Sequence, residues 1–351
     1  MPISTRWFAL IVFVVAVVAS RAQDQKLLSP WDGRKVELTA APYDCPAPPP
    51  FAKTLDIGVY YTDSHASVID PKKKAAYDKA AENYTQLTKA ATLAADAYLD
   101  KGSRAAALCV YALLEAAAKA DAWDGKMDNF SGVYVQNWLL SGAGIAYLKV
   151  RSSGLGTAGQ DAAIQRWFSR LGTRVREFFD EEVPRLGGPD NENNHIYWAG
   201  LALAAEAIAN NDQDAGQWAI YTYRMGLANI QADGTLKAEM NRAQMALHYH
   251  LYALDALIMM AELGEANGID LYSENGGALH RLVKFCVAGL EDPTILQKRT
   301  GVAQVVALPY AGSDIGWAVP YVHRFPNPEL SALIAKAPWV RYTTWGGAPP
   351  E

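Results

Sequence analysis

From Pro71 onward, apolar and small residues recur three and four positions apart over stretches too long for strands. The first stretch, "PKKKAAYDKAAENYTQLTKAATLAADAYLDK", opens with proline where a first helical residue belongs and stops at Gly102, which predicts a helix over 71–101. Similar spacing predicts helices at about 103–123, 131–150, 158–182, 193–210, 213–229, 236–266, 275–291 and 327–336, with Gly, Asn, Asp and Pro in the short gaps. Alternating strand-like runs bounded by turn residues are few. The chain therefore reads as all-α, without a solenoid-type repeat that would say how the helices stack.

The pattern upstream is different. Arg6, an uncharged run from Trp7 to Ala19, and then Ser20-Arg21-Ala22 have the order of a secretory signal cleaved after Ala22, and the run is too short to span a membrane comfortably. Residues 23–70 are irregular, and Pro42, Pro46, Pro48, Pro49 and Pro50 make them an extended arm. The expected division is thus a signal peptide over 1–22, an arm over 23–70 and one helical domain over 71–351. No later apolar run reaches membrane-spanning length, so the mature chain is expected to be exported without a membrane span.

Composition narrows the functional classes. A chain of 351 residues, 50% hydrophobic and 20% charged, can bury a large core and is not disordered. Losing Arg6 and Arg21 with the signal moves the formal net charge from −5 to −7, which argues against a nucleic-acid partner. Of the three cysteines, Cys286 in "RLVKFCVAGL" occupies a helical core position and reads as a buried free thiol. Spacing alone cannot choose the pair, and Cys45 with Cys109 is the expected bridge in an oxidising compartment. No spacing supports a metal: the two histidines of "HYH" point apart on a helix.

Two stretches are crowded with reactive side chains: "NNHIYW" at 193–198 and "AEMNRAQMALHYHLYALDAL" at 238–257. On one continuous helix, Arg242 and Tyr249 are seven apart and share a face at roughly 10 Å along the axis. Met245 and Tyr252 lie near that face. His248 and His250 diverge from Tyr249 by about 100° each, so that one packs and the other hydrogen-bonds. Each feature also has a bland reading. Asn193-Asn194 make a good N-cap, a helical histidine is more often structural than catalytic, and a half-buried tyrosine usually packs. Asp233 and Glu239, as a carboxylate pair for a hydrolase, would not oppose each other across a sugar.

"NNHIYW", followed about 40 residues later by "GTLKAEMNRAQMALHYHLYAL", resembles the signature of the alginate lyases of polysaccharide lyase family five, periplasmic enzymes that cleave polymannuronate. "DCPAPP", "YYTDS", "EAAAKADAW", "ANGIDLYSENGGALHRL" and "AGLEDPTILQKRTG" agree in order, so the likeness covers about residues 40–320. It implies an incomplete α/α toroid, helical hairpins round a deep cleft, and supports the Cys45–Cys109 bridge. It also implies β-elimination without metal or cofactor, on an anionic polysaccharide, by a periplasmic monomer. Asn194 and Arg242 are then expected to bind the substrate carboxylate, Tyr249 to protonate the leaving oxygen, and His195 or Tyr249 to take the C5 proton. Tyr60, Tyr61, Lys119, Tyr197, Trp198 and Tyr252 are the expected substrate contacts. Tyr60 and Tyr61 fall in the segment corresponding to the family's mobile lid. There "YYTDSHASVID" departs from the commoner pattern, a lysine before the tyrosine and an arginine after the serine, which leaves another uronan such as polyglucuronate as an alternative polymer. A non-catalytic polyuronate-binding protein is the third reading.

Overall fold

The computed structural model describes residues 26–186 and 193–350; the signal expected over 1–22 lies outside them. Eight main helices carry the architecture: α1 (Pro71–Lys101), α2 (Arg104–Lys119), α3 (Phe130–Arg151), α4 (Ala158–Glu177), α5 (Asn194–Asn210), α6 (Gln213–Asn229), α7 (Ala246–Glu265) and α8 (Glu274–Glu291). Only isolated β-bridges occur among the described residues. Helix ends follow their sequence signals. The Asp70 side chain accepts the Lys72 and Lys73 N–H groups ahead of Pro71, and α1 ends at Gly102 with φ 64°. A side chain at Gly102 would also strike the Glu37 carbonyl of the arm.

Consecutive helices pair as hairpins, α1 with α2, α3 with α4, α5 with α6 and α7 with α8. Within the ring α1, α3, α5 and α7 are successive neighbours, whereas α2 packs on α4 and α6 on α8. The inner helices α3, α5 and α7 are buried on nearly every face, and α4 buries only a stripe led by Trp167, Phe168 and Leu171. This is the all-α, incomplete α/α toroid. In α5, Tyr197, Trp198 and Leu201 have no exposed surface; burying side chains of this size stabilises by about 1.5–3 kcal/mol each.

The arm runs along the toroid and is bolted to it. Cys45 is bridged to Cys109 of α2, with Cα atoms 5.6 Å apart, and Cys286 is free and buried. Thr39 and Ser103 pair backbone to backbone, and the Trp123 and Gly125 N–H groups donate to Ala52 and Lys53. At the other end of the chain, Thr343–Trp345 packs between α1, α3 and α7. Lys149 Nζ, with no exposed side-chain surface, is 2.7 Å from Asp96 and donates to the carbonyls of Gly346 and Ala348. Burial pulls the Lys149 ammonium pKa down while Asp96 opposes it. Removing either partner would strand a buried charge.

The structure corrects the expected helices at three places. The stretch over 236–266 is broken: a turn at Lys237–Met240 is followed by Ala243 at φ 47° and a 3-10 turn before α7 begins at Ala246. At the start of α8, Asn275, Gly276 and Gly277 are left-handed and regular helix begins after them. Short helices at Thr294–Thr300, Gly312–Ile315 and Ala318–Arg324 lay below the reach of periodicity.

Candidate active site

A cleft of about 800 Å³ opens among α1, α3, α5 and α7. Its floor holds Arg242, Tyr249, Tyr252, His195 and His248; Tyr77 and Tyr84 of α1 and Tyr134 and Trp138 of α3 form its aromatic walls, and Tyr342 and Thr344 come from the C-terminal tail. Tyr60 and Tyr61 of the lid roof it.

The lid is a tight loop. Thr62 N–H donates to Val68 and Asp70 N–H to Tyr60, both at 2.9 Å. Inside it Asp63 accepts the Ser67 and Val68 N–H groups on one oxygen, and His65 N–H and Ser67 Oγ on the other. Burial works against that carboxylate, but these donors prevail and hold its pKa at about 2. Three contacts dock the lid: the His65 Nδ1–H donates to the Asn241 carbonyl at 2.8 Å, Gln244 Nε2 donates to Ser67 O at 2.8 Å, and the Tyr61 and Tyr249 hydroxyls are hydrogen-bonded at 2.7 Å. Beyond the lid a polar cavity of about 790 Å³, lined by His65, Asn193, Asn229, Gln231, Lys237 and Asn241, shares Arg242 with the cleft.

The broken helix sets the central geometry. Because the backbone turns at Ala243, the Arg242 guanidinium folds back over the Tyr249 ring, 4.6 Å from its centroid. Burial pushes the Tyr249 phenol up to about 12, with the Tyr61 hydrogen bond and Arg242 pulling the other way, so the hydroxyl carries its proton at neutral pH. Burial and the neighbouring Tyr249 raise Tyr61 as well. Behind Arg242, Glu239 has no exposed surface. One of its oxygens accepts both the Asn194 backbone N–H at 2.8 Å and Asn194 Nδ2 at 3.0 Å; the other lies 3.7 Å from Arg242 Nε, too far for a hydrogen bond. Burial raises the Glu239 pKa, and Arg242 and Asn194 offset it.

Of the expected residues, the structure thus gathers His195, Arg242, Tyr249, Tyr60, Tyr61 and Tyr252 round one cleft. The His195 ring stacks flat on Tyr134, at 3.8 Å and 5°. Asn194 is adjacent but has no exposed surface, and its Oδ1 has no hydrogen-bond partner. Three expected substrate contacts lie elsewhere. Tyr197 is fully buried with its hydroxyl taking a hydrogen bond from Asn229 Nδ2. Trp198 is equally buried, its Nε1–H donating to the Tyr252 carbonyl, so neither can meet a sugar. Lys119 is exposed on outer helix α2, paired with Glu115. His250 hydrogen-bonds through both nitrogens, Nε2 accepting Leu236 N–H and Nδ1–H donating to Ala246 O. Its burial lowers the pKa to about 4. His248 packs between the rings of Tyr249 and Tyr252. The aromatic wall that sequence reasoning missed, Tyr134 and Trp138, had a signal: with Phe130 they recur every fourth residue on one face of α3. Among the described residues no group of His, Cys, Asp or Glu is arranged to hold a metal ion, and no helix is long and apolar enough to cross a membrane.

The alginate lyase family profile matches residues 55–296. A polysaccharide lyase of Stenotrophomonas maltophilia is 36% identical over 299 residues, 84% of this chain and 86% of that protein. An alginate lyase of Pseudomonas aeruginosa is 30% identical over 312 residues, 86% and 83% of the two chains. Among solved structures, a variant of alginate lyase A1-III in its apo form superposes with a TM-score of 0.75 at 25% identity, covering 88% of this chain and 85% of that one. A tetrasaccharide complex of an A1-III variant shares the fold at TM-score 0.79 and 23% identity, over 93% and 96%.

Proposed function

The chain belongs to the alginate lyase family, and from that premise we propose that it is an exported, mannuronate-specific lyase that breaks its polymer by β-elimination in the cleft under the lid. Arg242 binds the carboxylate of the sugar being cleaved, with Asn194 behind it, so that charge developing at C5 is stabilised. His195, held flat on Tyr134, takes the C5 proton. The electron pair left at C5 forms the C4–C5 double bond, the C4–O bond breaks, and the Tyr249 hydroxyl protonates the departing oxygen. The product carries a 4-deoxy unsaturated uronate at its non-reducing end. The observation that carries this reading is the Tyr249 hydroxyl itself: protonated at neutral pH, beneath a guanidinium, and held by a lid hydroxyl whose place the leaving oxygen takes. The signal over 1–22 directs the protein to the periplasm.

Polyglucuronate is a second reading, supported by the lid. In this chain the lid offers the substrate tyrosines without a flanking lysine, and nearby Lys74 is already held by Asp78 at 2.5 Å. Ultraviolet absorbance of the conjugated double bond on polymannuronate, polyguluronate and polyglucuronate, with Tyr249→Phe alongside, tests both. A rise on polymannuronate that falls 10²–10⁴-fold in the variant, about what a lost general acid costs, is expected. A rise on polyglucuronate alone favours the second reading, and no rise on any polymer from folded protein overturns elimination.

A further inference from the structure

Glu239 is a buried carboxylate directly behind Arg242 that has no part in the elimination steps, and its surroundings are unusual. It sits on the turn Lys237–Met240, away from α5 in sequence, yet it closes the start of α5 by accepting the backbone N–H of Asn194. Helix N-termini leave such N–H groups without intrahelical partners and favour a negative charge there. The same oxygen accepts Asn194 Nδ2. A backbone N–H can only donate, so that oxygen is an acceptor, and the amide must turn its nitrogen to Glu239 and its Oδ1 away. That Oδ1 and Glu239 Oε2 are both buried without a hydrogen-bond partner. A buried carboxylate is costly unless it is paired, and Arg242 Nε at 3.7 Å is the cation it faces. Arg242 in turn lies over the Tyr249 ring. Asn194, Glu239, Arg242 and Tyr249 therefore form one chain of contacts, and Glu239 is the link joining α5 to the turn that bears the guanidinium.

We propose that Glu239 is a positioning residue for the elimination: anchored on the Asn194 amide at the start of α5, it fixes the Arg242 guanidinium relative to Tyr249, so that the guanidinium meets the substrate carboxylate in line with the phenol. The inference rests on the reading of the cleft as a uronan lyase site. Misplacing a binding group by about 1 Å costs on the order of 10²-fold in rate, and Arg242 is such a group, with Glu239 behind it. The Glu239 charge also acts on Tyr249, which is faced by Tyr60 and Tyr61 from the lid, by Arg242 and Glu239 from the turn, and by His248 on its own helix. Arg242 and the Tyr61 hydrogen bond lower the phenol pKa, and Glu239 and Tyr60 raise it.

The test is Glu239→Gln in the full mature chain, assayed by double-bond absorbance on the polymer that the wild type cleaves, with circular dichroism and thermal midpoint as fold controls. Glutamine keeps an acceptor for Asn194 and removes the charge facing Arg242. The expected result is a folded protein whose kcat falls about 10²-fold while KM does not rise, since Arg242 keeps its charge toward the substrate. Its alkaline limb should also move to lower pH, because a charge that raised the Tyr249 pKa is gone. Glu239→Asp, which keeps the charge and shortens the reach, should lose kcat but leave the alkaline limb where the wild type has it. Wild-type kcat and pH profile in a folded Glu239→Gln would overturn the proposal. Should Glu239→Gln not fold, a Glu239→Asp with full wild-type kcat would overturn it instead, since the reach is then immaterial. An inactive wild type on all three uronans would overturn the lyase reading itself, a distinct outcome.

Discussion

Replacing Cys45 and Cys109 together by alanine separates what holds the arm in place from what stabilises the chain. The bridge joins residues 64 apart in sequence. Opening a loop of that size returns loop-closure entropy to the unfolded chain worth about 4 kcal/mol at 25 °C. In the folded protein the arm has other fastenings on both sides of Cys45: Ser103 Oγ donates to Ala41 O at 2.7 Å, Trp123 N–H to Ala52 O at 2.7 Å, Gly125 N–H to Lys53 O at 2.9 Å, and Phe51 packs edge-on against Trp123. The lid that follows is docked on Asn241, Gln244 and Tyr249 without help from the bridge. The double variant should therefore keep its activity at 25 °C and lose stability through its unfolded state. With a urea slope of about 3 kcal/mol per M for a chain of this size, its unfolding midpoint should fall by about 1.3 M, read by circular dichroism and by residual activity after equilibration. A loss below about 1 kcal/mol would refute the entropic argument. Activity lost while the protein remains folded would refute the claim that these other contacts suffice to hold the arm and lid.

Two further predictions concern charge. Burial lifts the Glu206 carboxyl from 4.5 to about 7, with one oxygen accepting Asn210 Nδ2 and the other unpartnered. A raised acid favours the folded state while protonated, so its stabilisation is full below about pH 4.5 and is lost as pH rises through 7. Between about pH 4 and pH 8 this should cost the wild type about 3 kcal/mol that Glu206→Gln does not lose; equal pH dependence of their urea midpoints would contradict it. In the cleft, Asp78→Asn should release Lys74 from its ion pair, lowering KM for the polyuronate about two- to fivefold with kcat unchanged, the range of an exposed pair. The gain should fade as salt is raised to about 1 M, and a KM change indifferent to salt would contradict an electrostatic cause.

The helices were legible because the inner and outer positions of a toroid impose different patterns. Helix α5 carries one charged residue in 17, Glu206, and so had to be buried all round. Read strictly, that pattern already excluded Tyr197 and Trp198 from any wall facing solvent: aromatic rings on a helix without a polar face pack in the core. Tyr134 and Trp138 were missed although their spacing with Phe130, every fourth residue, put three rings on one helix face; that this face borders the cleft is set by the packing of α3 in the ring. The break before α7 was not legible. No glycine or proline marks it, and Ala243 is held in its left-handed conformation within a turn fixed by distant partners: Gln304 Nε2 donates to Ala243 O, Gln304 Oε1 accepts Leu247 N–H, and Glu239 reaches across to Asn194. Periodicity accordingly kept Arg242 and Tyr249 two turns apart on a continuous helix, whereas long-range hydrogen bonds bring the guanidinium onto the ring. Tyr342 and Thr344 escaped for the same reason, since long-range contacts draw the tail into the cleft wall: Lys149 to the Gly346 carbonyl, Ser141 Oγ to the Thr344 carbonyl and Trp345 Nε1–H to the Asp255 carbonyl.

That break also explains how a protein with an excess of acidic residues can present a cleft to a polyanion. Along α1 the charges lining the cleft are Lys74, Asp78, Glu82 and Lys89, two of each sign with Lys74 held by Asp78, so the α1 wall offers little net attraction. At the cleft floor the lining cation is Arg242, and a carboxylate 3.7 Å behind it offsets part of its charge. The geometry answers this. Glu239 faces Nε, and among the described residues the two Nη atoms have no hydrogen-bond partner, leaving the forked edge that binds a carboxylate through two parallel bonds. Along that edge binding is directional, so a uronate is held by orientation as much as by charge. A lysine at 242 would keep the charge and lose the fork. The net charge of the whole chain therefore says little about this site, where one guanidinium, aimed from behind by a buried carboxylate, meets the substrate.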